Sequence, residues 1–204
     1  MFREAFEKLE LDDVATVLDK VNPLLEGIVF DPIETVIMGI DLSFYPGYRL
    51  LDISDYSGMP ASHRYAVCSP RSSVVLNFTN APIYKMNADV PLVLNEDTVA
   101  DYVRFFFAFV RGKHGRFRIA ESIDDIFWKE DPPPAARKAI GKMITPVTLV
   151  KTGEDGTYHL QASLMFKDSL FRSNITVLKG GVVNLTDEEL LVEDMPVLDD
   201  TFGQ

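Results

Sequence analysis

The chain has 204 residues, 47% hydrophobic and 25% charged, a composition that buries well over half of its unfolded surface in a globular fold. With 20 Lys and Arg against 31 Asp and Glu the net charge is −11, which argues against a protein whose main task is to neutralise phosphates or to lie on anionic lipid. Cys68 is the single cysteine. This leaves no internal disulfide and no cysteine-based zinc site, and Cys68, in the strand-like run RYAVCSP, reads as an inert buried thiol.

The opening MFREAFEKLELDD carries acidic residues throughout and has no continuous apolar run, so it is not a secretory signal and the expected location is cytoplasmic. The three N-x-T sequons, at Asn77, Asn174 and Asn184, would matter only in a secretory lumen. Apolar residues at Phe2, Phe6 and Leu9, then at Val14, Val17, Leu18 and Val21, give a helical rhythm interrupted near Asp12, which could cap a second helix ending before Pro23. Residues 1–28 are therefore expected to be an N-terminal segment of one or two amphipathic helices.

From Asp31 to Val93 the character is β. Ile33 to Ile40, Tyr48 to Ile53, His63 to Cys68 and Val74 to Phe78 read as strands, with Ser69-Pro70-Arg71-Ser72 as a hairpin loop and Pro82 to Met86 extending the meander. A helix follows over about 96–111. Asn95 is a good N-cap, Glu96 and Asp97 place negative charge on the first turn, and Arg111, Lys113 and His114 stand beside Gly112 at the other end. Val99, Val103, Phe106 and Val110 form one stripe, Tyr102, Phe105 and Phe109 the next, with Phe107 behind, so this helix must be nearly buried. It is no membrane span: sixteen residues at ~1.5 Å each reach about 24 Å against a ~30 Å hydrocarbon core, and Asp101 and Arg104 interrupt the run.

Arg116 to Ala120 reads as a short strand, followed by a loop with Trp128 and three prolines, a helix over Ala135 to Met143, and further strands. Tyr158 to Lys167 alternates strictly between faces, and Gly180-Gly181 suits a two-residue hairpin. The expected class is α+β: a mostly antiparallel sheet, N-terminal amphipathic helices and one buried aromatic helix packed on the sheet. The expected division is 1–28 helical, 29–179 the α+β core, and 180–204 an acidic hairpin and tail folded on that core. The tail carries seven acidic residues and no Lys or Arg, leaving −4 on residues 1–179. Its Leu and Val content suits packing.

Function is less legible. Arg111, Lys113, His114, Arg116 and Arg118 form a basic cluster, read either as a solvated face or as an anion- or partner-binding surface, including one for the protein's own acidic tail. The histidines His63, His114 and His159 lie in three separate elements without the spacing of a helical zinc pair, so no metal site is expected. No G-x-G-x-x-G, Walker-type or G-x-S-x-G motif is present, and no cofactor is expected. Asp52, Asp55, His63 and His159 suit acid/base work, with His63 and His159 the pocket candidates. Two readings compete: a non-catalytic protein-interaction or scaffold module, with a protein partner or a second copy; or a small-molecule-binding protein or enzyme using a histidine or carboxylate in a cleft between sheet and helices. Neither needs nucleic acid or membrane insertion.

Overall fold

The structure, a computed structural model, describes residues 5–198. Two antiparallel five-stranded sheets and four α-helices make up these residues, an α+β architecture. The described residues divide into two compact units, one up to Val93 and one from Leu94.

The N-terminal unit is a meander. Strands β1 (Glu7–Lys8), β2 (Thr35–Asp41), β3 (Arg49–Asp55), β4 (Ser62–Cys68) and β5 (Ser73–Leu76) lie side by side in chain order. Among the described residues one α-helix lies ahead of β2: α1 (Leu11–Val21), with Asp12 and Asp13 in its first turn, follows β1 and runs into a short 3-10 turn at Asn22–Leu24 whose second residue is Pro23. The segment around Phe6 to Leu9, expected to be helical, instead forms β1. Strand pairing satisfies its backbone there, with Glu7 opposite Gly39 and the Leu9 amide on the Ile37 carbonyl.

Val14, Leu18 and Val21 form the buried stripe of α1 and meet Ile37, Leu51, Ile53, Ala66 and Cys68 on one face of the sheet. Because side chains alternate along a strand, Leu50, Asp52 and Ser54 of β3 then occupy the opposite face. The Ser69–Ser72 loop closes the β4–β5 hairpin as expected, the Ser69 amide donating to the Ser72 carbonyl at 2.8 Å. The run Pro82 to Met86, read as strand from its branched and aromatic residues, is helical: α2 spans Ala81–Asp89. Pro82 in the first helical turn, where an amide proton is not needed, was the signal for this.

The C-terminal unit holds α3 (Val99–Phe109), β6 (Arg118–Ala120), α4 (Pro134–Met143), β7 (Thr148–Thr152), β8 (Tyr158–Phe166), β9 (Ser169–Val177) and β10 (Val183–Val192). Its sheet runs β10-β9-β8-β6, while β7 also pairs with β8. Strands β7 and β6 share one edge end to end, β7 opposite Tyr158 to Gln161 and β6 opposite Ser163 to Met165. Helix α3 is shorter than the expected 96–111. Asn95 Oδ1 accepts from the Asp97 and Thr98 amides at 2.9 and 3.0 Å, organising the leading turn from which the helix proper starts. The chain turns extended at Val110, two residues before the Gly112–Gly115 bridge.

Tyr102, Val103, Phe105, Phe106, Phe107 and Phe109 are all buried, and α3 contacts β6 and β7. The Tyr102 hydroxyl donates to the Gly181 carbonyl at 2.6 Å. Tyr102→Phe should therefore cost about 1–3 kcal/mol in urea denaturation, the cost of a buried carbonyl left without its donor, although the ring volume is kept. A change within experimental error would show that water replaces the hydroxyl.

The β9–β10 hairpin is closed by Leu178 and Val182, the Leu178 amide donating to the Val182 carbonyl, so its loop has three residues, Lys179 to Gly181, rather than the expected two. Gly181 has φ +79°, the left-handed conformation that ends such a loop and favours glycine. A second apolar cluster gathers Ala120, Ile126, Met165 and Leu170 with Met195 and Val197, against which Ile140 of α4 and Trp128 pack. No described helix is long and apolar enough to cross a membrane.

Candidate functional site: a polar array beside an open strand edge

Strand β5 pairs with β4 only from Tyr65 to Cys68, so Ser62, His63 and Arg64 extend past its end. The chain leaves β5 at Asn77 and turns at Phe78, whose φ is +61°. A cleft of about 370 Å³ lies along this bared stretch, lined by Leu24, Leu25 and Glu26 on one side and by His63, Arg64, Tyr65, Val75, Leu76, Asn77 and Phe78 on the other. Its walls are mainly apolar, with a few polar groups set among them, the usual make-up of a recognition site. Arg64 Nη1 donates to the His63 carbonyl at 2.7 Å, a charged side chain guarding the backbone of an edge strand.

His63 belongs to a polar array on the face opposite α1. Cross-strand register sets His63 directly opposite Ser54, while Asp52 lies two residues before Ser54 on the same face. Ser54 is buried, and its hydroxyl donates to Asp52 Oδ1 at 2.9 Å. The same oxygen lies 2.9 Å from His63 Nδ1. A hydroxyl has one proton, and Asp52 takes it. His63 Nδ1 then carries the proton of the second bond, and in the neutral form of the ring that leaves Nε2 as an acceptor. Tyr56 sets its ring edge against the imidazole, with centroids 5.5 Å apart. Asp55, the other carboxylate on this strand, plays a different part: hydrogen bonds from the Ser57 hydroxyl and amide hold its carboxyl below the ordinary range, so it stays ionised at neutral pH.

The second histidine candidate is placed otherwise. His159 is half-buried on β8 between Lys151 and Thr176, and it does not line the cleft beside β4. The basic cluster is brought together only in part. Lys113 and His114 are exposed in the Gly112–Gly115 turn, and Arg111 is half-buried. Arg116 and Arg118 line a small cavity of about 20 Å³, room for one water, joined by Lys167, Phe127, Val197 and Leu198. Arg118 lies over the Phe127 ring at 4.1 Å and donates to the Asp125 carbonyl at 2.9 Å, while Arg116 donates to the Ala108 carbonyl at 3.2 Å. Lys167 was not foreseen as a member. Of the expected acidic tail, Met195 and Val197 are buried in the second apolar cluster, whereas Asp199 and Asp200 lie outside the described residues.

Comparison with protein-family models, curated proteins and solved structures finds no match. The site is therefore read from its own chemistry.

A second cleft of about 350 Å³ lies between α1 and the sheet, lined by Leu9, Val17, Lys20, Arg49, Leu51 and Cys68 among others. Burial pushes the Cys68 thiol up, against smaller opposing effects from Ser73 and Lys20, so sulfur there is protonated and a poor nucleophile. Its two cations are engaged: Lys20 on the Pro70 carbonyl at 3.1 Å, and Arg49 with Glu7, Asp41 and the Gly39 carbonyl. Among the described residues no group of three or more His, Cys, Asp or Glu is placed to hold a metal ion.

Ser54 and Tyr56 were missed from sequence. The spacing Asp52-x-Ser54 on one strand puts both side chains on one face and was a usable signal. Their meeting with His63 needs the β3–β4 register, which no local pattern states.

Proposed function

We propose that this protein is a protein-interaction module whose N-terminal unit takes an extended segment of a partner alongside β4, in line with β5. The observation that carries this reading is the run of β4 past the end of β5 along an apolar cleft. An added strand would gain main-chain hydrogen bonds from Ser62 to Arg64, and alternate side chains would enter the cleft between Leu24 and Phe78. The Arg64 guanidinium is the guard that a partner displaces, and it keeps the edge from pairing with copies of itself.

The test is selection of random peptides on the full chain by display, followed by hydrogen exchange of the complex. Selected peptides should slow exchange at Ser62 to Arg64, and Arg64→Ala should tighten their binding. A selection that yields no binder, or binders that protect another surface, overturns the proposal.

The small-molecule reading is favoured by a different observation, the oriented imidazole of His63 on the wall of the same cleft. Thermal stabilisation by a metabolite panel in wild type, lost in His63→Ala, would support it over strand addition.

A further inference from the structure

We propose that Arg116, Arg118 and Lys167 form a carboxylate site in the C-terminal unit, and that its ligand is the chain's own Asp199. The three cations line one small cavity together with Phe127, Val197 and Leu198, and among the described residues that line it there is no carboxylate. Every residue involved belongs to the C-terminal unit, so the outcome of peptide selection on the cleft beside β4 does not bear on this site.

Strand register explains why the cations converge. Arg118 of β6 pairs with Met165 of β8 in an antiparallel ladder, so Arg116, two residues earlier, comes opposite Lys167, two residues later. The intervening residues agree, Phe117 stacking on Phe166 with ring centroids 4.6 Å apart. Alternate residues share a face, which sets all three cations on one face, and like charges opposite each other across strands repel. Arg118 donates to the Asp125 carbonyl and Arg116 to the Ala108 carbonyl, acceptors that carry no net charge. The nearby carboxylates are turned elsewhere: Asp125 accepts from the Glu121 and Ser122 amides at 3.0 and 2.8 Å, and Asp168 from the Ser169 hydroxyl at 3.1 Å. An anion among the three cations would relieve the repulsion.

The described chain ends at the mouth of this cavity. The Lys129 amide donates to the Pro196 carbonyl and the Leu198 amide to the Phe127 carbonyl, both at 2.8 Å, and these bonds lead Val197 and Leu198 along its wall. Asp199 is the next residue, its Cα ~3.8 Å from that of Leu198. In an extended continuation its side chain shares the face of Val197, which packs in one apolar cluster with Met165, and Asp200 takes the other face. A cavity of about 20 Å³ suits one carboxylate oxygen better than a phosphate.

The experiment uses the full-length chain. Zero-length carbodiimide coupling, digestion and tandem mass spectrometry should find the Lys167 amine joined to the Asp199 carboxyl in preference to Asp200, and Asp199→Asn should abolish that link. Urea denaturation followed by Trp128, which bridges to Val197, gives an independent reading. Asp199→Asn should lower the midpoint, Asp199→Glu should restore most of it, and Asp200→Asn should leave it near wild type. Lys167→Gln should also lower the midpoint, and adding it to Asp199→Asn should cost less than the two single losses together. Glutarate, a free dicarboxylate, should raise the midpoint of Asp199→Asn and leave wild type unchanged.

Coupling of Lys167 to Asp200, or to no residue beyond Leu198, overturns the assignment of Asp199. So does an Asp199→Asn midpoint equal to that of wild type, or losses that simply add in the double variant. Glutarate raising wild type as much as Asp199→Asn would show that the three cations take a foreign carboxylate and that the chain's own is not their ligand.

Discussion

Replacing Glu121 by alanine should destabilise the C-terminal unit by about 3 kcal/mol, the expected cost of removing one of the two carboxylates that pair a buried charge. The charge is Arg104, which is 3% exposed in the middle of α3. Its Nε and Nη2 donate to the two oxygens of Glu121 at 3.0 and 2.7 Å, and Nη1 donates to Asp101 at 2.8 Å. Glu121 Oε1 also accepts from the Val147 amide at 3.2 Å, tying the approach to β7 into the same array. Trp128 is the only tryptophan and lies in this unit, so its fluorescence in urea reports the loss directly.

The stability comes from satisfying a charge that is already buried, and this fixes a second outcome: Arg104→Met combined with Glu121→Leu should recover most of the loss. A double variant as unstable as Glu121→Ala would show that the pair is net stabilising in itself. Burial pushes the Glu121 carboxyl up, but the hydrogen bonds and charge of Arg104 more than reverse it, so its folded value lies below the ordinary one. The stability this contributes is present above the unfolded glutamate value, about 4.3, and drains away as the pH falls through the depressed folded value. Glu121→Gln should flatten that acid limb.

Phe105→Ala is the second large effect expected, about 3–5 kcal/mol from a cavity at the centre of α3. Phe105 is fully buried and lies 5.3 Å, centroid to centroid, from Phe109, with Tyr102 one turn earlier also fully buried. Urea denaturation followed by Trp128 fluorescence measures it. A ring standing on an open surface would give a change within about 0.5 kcal/mol. That outcome would contradict the burial of α3.

Some of the fold and little of the site could be read in advance. Leu160, Ala162 and Leu164 are buried on one face of β8, where strict alternation placed them. The opposite face carries His159, Gln161, Ser163, Met165 and Lys167, and of these Ser163 and Met165 are buried as well. Ser163 accepts from the Thr145 amide and Met165 joins the apolar cluster of Met195 and Val197, contacts made by chain distant in sequence. Arg104 was read as an interruption of an apolar run. Its burial becomes tolerable only because Glu121, seventeen residues later, meets it.

What the sequence determined by itself was set by local geometry: the 3.6-residue stripe of α3 and the buried face of α1, the period of two in β8, the turn residues of the Ser69–Ser72 loop, and thus the α+β class. What only the tertiary structure decided was register and neighbourhood. The β3–β4 pairing sets His63 opposite Ser54, the early end of β5 bares Ser62 to Arg64, and the hairpin closes at Leu178 and Val182. The physical reason is that periodicity and turn chemistry act over a few residues, whereas the partner of a buried hydroxyl, charge or strand edge comes from elsewhere in the chain and is fixed by packing.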